Sequence, residues 1–230
     1  MNQKKYYFNS SFIIEYLNKK VSFRPFNLYI IMDFYFTIDT VGDAEFKDRG
    51  SKFLAFAFPL KNTDDFKKHL QALKKEHPKA VHHCFAYRIG YDGNNFRVSD
   101  DGEPSGTAGK QILAQIDSRN LTDILVIVVR YFGGTLLGVP GLINAYKTAT
   151  VLALQCTHTV QKYIEDNYIL QFNYTEMNDV MRIMKQYNCS IYKNEMQLFC
   201  IIETGIPKYR LNEILYALKN IQNVEIQKVK

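Results

Sequence analysis

A chain of 230 residues that is 47% hydrophobic, 23% charged and 14% aromatic excludes a disordered or fibrous class and has room for one large domain or two small ones. Its net charge of +6 is unevenly placed: residues 1–31 hold five lysines and arginines against Glu15 alone, so the basic balance says little about the folded body. Four cysteines without a C-x-x-C pair, no run approaching the roughly 20 apolar residues of a membrane span, and no cleavable N-terminal signal predict a soluble, cytoplasmic protein with reduced thiols.

Strand character first appears at 33–40 (DFYFTIDT) and 45–58 (EFKDRGSKFLAFAF), both rich in aromatics, with Pro59 closing the second. NTDDFKKHLQALKKEHP predicts an amphipathic helix. Thr63 is its cap, Asp64 and Asp65 fill the first turn, Phe66, Leu70 and Leu73 recur at helical spacing, and Pro78 stops it. HHCFAYRIG (82–90) alternates, with His83, Phe85, Tyr87 and Ile89 on one face and His82, Cys84, Ala86 and Arg88 on the other. Asp92-Gly93 predicts a hairpin into FRVSD. Past the loop SDDGEPSGTAG (99–109) a helix is expected over 105–117. DILVIVVRY (123–131) then reads as a central strand buried on both faces. A second glycine loop, FGGTLLGVPG, leads into a helix over 140–157 with Pro140 in its first turn.

Beyond Thr159 glycine becomes scarce. Strand 163–174, helix 175–188, strand 189–193, strand 196–203, helix 207–219 and strand 222–229 make the ferredoxin-like βαββαβ order, with Asn194-Glu195 as the hairpin turn. The expected chain is therefore α+β. It has an extension at 1–31, a first domain at 32–158 and a second at 163–230.

The glycine loops carry the candidate chemistry. Neither matches G-x-x-x-x-G-K-[ST] or G-x-G-x-x-G: Gln111 follows Gly109-Lys110, and Val139 stands where the second loop would need lysine. Glycines ahead of a helix still offer N–H groups to an anion, and they equally serve plain turns. Gly102, Glu103, Ser105, Gly106 and Thr107 in the first loop, and Gly133 and Gly134 in the second, are the candidate binding residues. Asp100, Asp101 and Glu103 could hold a hard metal or act as an acid/base pair, and acids before a helix equally complement its dipole. No further carboxylate cluster supports a metal, and neither metal nor cofactor is expected. His82 and Cys84 share a strand face while His83 points away, which makes a poor zinc set and a poor catalytic dyad. His82 is kept as a binding candidate. Arg130, closing a buried strand, either pairs with the acids of the first loop or meets an anionic ligand beside Gly133 and Gly134.

EFKDRGSKFLAFAFP, the H-x-C-x-A-Y-R segment at 82–88, SDDGEPSGTAG and VVRYFGGTLLGVPGLINAY follow one another across residues 32–157. Together these stretches resemble the IMPACT/YigZ family. The resemblance implies a first domain of βαββαβα type, similar to the second-domain fold shared by a small-subunit ribosomal protein and elongation factor G, with a left-handed crossover. It implies a second domain similar to another elongation-factor-G module. Eukaryotic relatives restrain a translation-initiation kinase by competing for its activator, using an additional N-terminal domain. The function implied is a non-enzymatic binding protein linked to translation, contacting RNA, the ribosome or a translation factor. The alternative is an enzyme or small-anion binder using the cleft between loops 99–109 and 130–141. Family-like sequence begins at Met32, which is expected to be the true start, with 1–31 as translated upstream sequence or a disordered tail. Two positions depart from the family pattern. Leu136 stands where lysine is common, and Asn144 where many members have arginine, which weakens polyanion binding through the second loop.

Overall fold

The computed structural model describes residues 33–196 and 198–229, and the expectations for residues 1–31 and for Met32 lie outside the described residues. The chain runs β1 (Phe34–Ile38), β2 (Gly42–Asp48), β3 (Ser51–Pro59), α1 (Thr63–Glu76), β4 (His82–Ile89), β5 (Asn95–Ser99), α2 (Gly109–Ser118), β6 (Ile124–Tyr131) and α3 (Gly138–Gln155). Five of these strands form one antiparallel sheet in the order β2-β3-β6-β4-β5. Its middle strand is the apolar run DILVIVVRY. Ile124, Val126 and Val128 face α2 and α3, whereas Leu125, Ile127 and Val129 face α1. Each fully buried side chain of this kind stabilises by about 1.5–3 kcal/mol, so the strand anchors both layers at once. On β4 the alternation holds: Cys84 and Ala86 join the α2–α3 core, and Phe85 and Tyr87 the α1 core.

Several boundaries differ from the sequence reading. The stretch 45–58 is not one strand but the hairpin β2–β3, with Phe46 opposite Phe53. Its two-residue turn is Arg49-Gly50, both at positive φ (43° and 80°). Arginine is an unusual residue there, so the turn lacks the Asn-Gly or Asp-Gly signature. Helix α1 is capped by Asn62, not Thr63: the Asn62 side-chain oxygen accepts from the N–H groups of Asp64 and Asp65, both at 2.9 Å.

The strand expected over 163–174 breaks at Ile164 into β7 (Thr159–Tyr163) and β8 (Glu165–Phe172). β7 pairs with β1, outside the five-stranded sheet, while β8 joins a second sheet. Ile164 is buried at the break, where its N–H donates to the Asp33 carbonyl and its own carbonyl accepts from Lys208. α4 (Met177–Gln186), β9 (Ser190–Met196), β10 (Cys200–Pro207), α5 (Leu211–Lys219) and β11 (Glu225–Lys228) complete the chain, and the second sheet is antiparallel in the order β11-β8-β10-β9. Asn194-Glu195 is not a turn. Both residues lie within β9, paired with Ile202 and Ile201. The buried alternation Cys200, Ile202, Thr204, Ile206 sets the start of β10 and carries the hairpin beyond Met196. Among the described residues no helix is long and apolar enough to cross a membrane.

Candidate functional site

Both glycine loops meet at the C-terminal end of β6. Register places Arg130 between Phe53 of β3 and His82 of β4. Arg130 is 5% exposed, and its Nη1 donates to Glu103 Oε1 at 2.6 Å. Its guanidinium also lies against the rings of Phe53 and Phe132, 5.4 and 5.8 Å from their centroids. Of the two partners the sequence offers Arg130, the structure shows an acid of the first loop, Glu103. Removing one member of such a buried pair strands the other charge, at about 3–5 kcal/mol.

A buried network surrounds the pair. Tyr146, fully buried on α3, donates its hydroxyl to the same Glu103 oxygen at 2.7 Å. The Cys84 sulfur lies 3.2 Å from the Tyr146 oxygen and 3.0 Å from the Asp100 carbonyl. Burial raises the pKa of both Cys84 and Tyr146, keeping thiol and phenol protonated as donors. Cys84 is thus a buried hydrogen-bond donor and not a thiolate paired with His82.

The first loop answers its own helix. Asp100 Oδ1 accepts from the N–H groups of Ala108 (3.0 Å) and Gly109 (2.8 Å), and Oδ2 from Gly106 (2.8 Å). An anion at the start of α2 is therefore already supplied by the chain. Asp101, at φ 43°, accepts from the His83 backbone N–H at 2.6 Å, and its carbonyl lies 2.7 Å from His82 Nδ1. Only a protonated Nδ1 can donate to a carbonyl, so the neutral ring presents a lone pair at Nε2. That Nε2 is 3.8 Å from Glu103 Oε1. Gly102 (φ 91°) lies against the same imidazole, where an added Cβ would be 3.4 Å from Nδ1.

Of the residues singled out from the sequence, His82, Glu103 and Arg130 come together, with Gly102 behind them. Gly106 and Thr107 serve the loop's own turn, the Thr107 hydroxyl donating to the Pro104 carbonyl at 2.7 Å, and Ser105 is exposed. Gly133 packs against the Arg49-Gly50 turn so closely that an added Cβ would strike the Gly50 and Ser51 backbone, and Gly134 (φ 86°) faces open space. Neither lines the cavity over Arg130 and Glu103.

A cavity of about 360 Å³ opens over the pair. His82, Glu103 and Arg130 form its floor; Val81, Phe132, Leu136 and Val139, all exposed, form its mouth. Leu136 is 82% exposed. α3 begins beside it at Gly138 without a side-chain cap. Tyr146 and the apolar mouth were missed by the sequence reading. Tyr146 lies on the buried stripe of α3 with Leu142, Ala145 and Ala149, and a polar-tipped aromatic among small core residues is the signal that could have found it. Among the described residues no three His, Cys, Asp or Glu side chains gather as metal ligands.

The family described as the Impact N-terminal domain matches residues 49–154, which span both glycine loops and β6. The chain is 32% identical over 179 residues to the IMPACT family member YigZ of Escherichia coli (strain K12), covering 77% of this chain and 88% of that one. A crystal structure of a hypothetical protein superposes with a TM-score of 0.67 at 27% identity, over 87% of this chain and 99% of that one. The two-domain translational regulator Yih1 aligns with a TM-score of 0.33 at 24% identity, over 63% of this chain and 57% of that one, a likeness too slight to bear on function.

Proposed function

Because this chain belongs to the IMPACT family, we propose that it is a non-enzymatic binding protein linked to translation, and that it grips a protein of the translation machinery through the mouth of the Arg130–Glu103 cavity. The observation that carries this reading is the cluster of exposed apolar side chains Val81, Phe132, Leu136 and Val139 around a floor whose charges are already paired. An apolar rim over an internally neutral floor suits a protein surface. It suits a phosphate backbone poorly, because Arg130 has its counter-ion and the exposed Leu136 carries no charge.

The second module, read here as ferredoxin-like over 163–230, gives no better platform for RNA. Base stacking on such a sheet needs aromatic side chains on the open face of its central strands. The alternation of β8 and β10 places Ile169, Gln171, Ile201 and Glu203 there. A small anion in the cavity would meet the Glu103 carboxylate, so the small-anion alternative draws no support from the floor.

Cosedimentation with ribosomes at about 50 and 200 mM salt tests the proposal, because phosphate-driven binding falls steeply over that range. The expected result is association that survives the higher salt and is lost in Leu136→Asp. Absence of association at both salts, or steep loss with salt and indifference to Leu136→Asp, would overturn it.

A further inference from the structure

The two faces of the five-stranded sheet are covered unequally. On one face α3 lies over β2 and β3, and α2 over β4 and β5. There the β3 side chains Phe53, Ala55 and Ala57 are fully buried. On the other face α1 is the one helix among the described residues. It sits over β6 and β4, with Phe66 against Phe85 and Tyr87. Strands lie about 4.8 Å apart and a helix is about 10 Å across, so one helix covers about two strands. α1 therefore leaves β3 and β2 open over the width of one further helix. A strand face open to water ordinarily carries polar side chains. β3 instead presents Leu54, Phe56 and Phe58, all half-buried, in register with Val129, Ile127 and Leu125 of the α1 core. The rings of Phe56 and Phe58 lie parallel, 6.4 Å between centroids, and His69 on the flank of α1 stacks on Phe58 at 4.2 Å. From Lys52 to Phe58 this floor runs about 20 Å, the length of a helix of about 13 residues.

Charge narrows the occupant. Register sets Asp43 of β2 beside Phe56, Glu45 beside Leu54 and Lys47 beside Lys52. At the Lys52 end, Lys47 and Lys52 share Glu45 at 2.8 and 2.5 Å, and Glu76 in the last turn of α1 completes a neutral set. Toward the Phe58 end, Asp43 makes no ion pair among the described residues, and Asp65, one turn before His69, has only Lys68 at 3.6 Å. The unanswered charge of the rim is therefore negative and lies at one end. We infer that this face of β2 and β3 docks an amphipathic helix of a partner protein, whose apolar stripe covers Leu54, Phe56 and Phe58 and whose basic end meets Asp43 and Asp65. Cations are favoured in the last turn of a helix, so the docked helix runs antiparallel to α1. Aromatic side chains on a sheet face can also stack nucleic-acid bases, but here His69 already covers Phe58 and the rim would repel phosphate. Arg130 lies on the opposite face with Phe53, so this surface is separate from the cavity and independent of the reading above.

The probe is a synthetic peptide of about 13 residues, acetylated and amidated, with leucines at i, i+3, i+4 and i+7, glutamates in its first turn and lysines in its last. It is titrated into the full 230-residue chain and followed by amide NMR. Saturable shifts are expected at Leu54, Phe56, Phe58 and His69. Phe56→Asp, with far-UV circular dichroism to verify the fold, should weaken binding at least about tenfold. Asp43→Lys changes an exposed residue on an edge strand and leaves the apolar floor intact. It should weaken binding about threefold, and should favour a second peptide in which the last-turn lysines are glutamates. The inference is overturned by the absence of a saturable shift, by shifts confined to other residues, or by indifference of both peptides to Asp43→Lys. Saturable binding of an oligouridine at the same amides would overturn it in favour of nucleic acid. A dimer in sedimentation equilibrium that Phe56→Asp dissociates would assign the face to a second copy of the chain instead.

Discussion

The two glycine loops look alike in sequence and behave oppositely. SDDGEPSGTAG turns its acids inward. Asp100 accepts from Ala108 and Gly109 at the start of α2 and from Gly106 within the loop, Asp101 fixes the loop to β4, and Glu103 neutralises Arg130. YFGGTLLGVPG leaves α3 without a side-chain cap and turns Phe132, Leu136 and Val139 outward. Glycine before a helix is therefore no guide to where an anion binds. What decides is whether the chain has already placed a carboxylate there. One loop spends its carboxylates on the chain's own N–H groups and on Arg130, and the other leaves the start of its helix uncapped.

The largest expected effect breaks the contact that holds the second loop in place. Gly133 abuts the Gly50 backbone, which cannot yield as a flexible side chain would. Gly133→Ala should cost more than about 4 kcal/mol and leave the chain largely unfolded, because overpacking against backbone has no cheap relaxation. Gly134→Ala is the control. Its Cβ would meet open space, so only the left-handed backbone conformation (φ 86°) is penalised, at about 1–2 kcal/mol. Urea midpoints of the two variants measure the difference, and equal costs would show that the Gly133–Gly50 approach does not constrain the loop.

Next in size is the saturation of the first loop. Asp100→Ala leaves the N–H groups of Gly106, Ala108 and Gly109 without their acceptor, an expected loss of about 2–4 kcal/mol. Asp100→Asn should recover roughly half of that. Its amide oxygen can still serve Ala108 and Gly109, while its NH₂ would face the Gly106 donor. If Asn and Ala lose the same stability, the carboxylate is not acting as the cap and the first loop is no more saturated than the second.

The contrast explains how much was legible in advance. Hydrophobic periodicity set out β4, β6, α1 and α3, because burial on one or both faces leaves a regular trace in the sequence. Arg49-Gly50 and Asn194-Glu195 misled for opposite reasons. The first is a turn without the usual turn residues, and the second has turn-like residues held in a strand by the register of β10. In the site, a charged residue closing a buried strand was enough to single out Arg130. Its choice of Glu103 over Asp100 or Asp101 was not readable. That choice depends on which carboxylate the backbone has already committed: Asp100 to the start of α2 and Asp101 to the amide of His83. Tyr146 was hidden because its hydroxyl lies on a stripe whose spacing reads as ordinary core.

The smallest effect is the most direct probe of the unsaturated end. Val139 is the second residue of α3, and Lys110 the second residue of α2. Both are exposed, so an aspartate at either position disturbs little packing. At α3 the new carboxylate meets a helix end that no side chain caps, and Val139→Asp should raise stability by about 0.3–1 kcal/mol at low ionic strength. At α2 it meets Asp100, already bound to Ala108 and Gly109, so repulsion offsets the dipole term and Lys110→Asp should give no gain. Salt should erase the Val139→Asp gain, since both the dipole and the new charge lie at the surface. Thermal midpoints of the two variants at low and high salt read this directly. A gain at α2 equal to that at α3 would mean that the helix ends are electrically equivalent, and the distinction between a capped and an uncapped loop would fail.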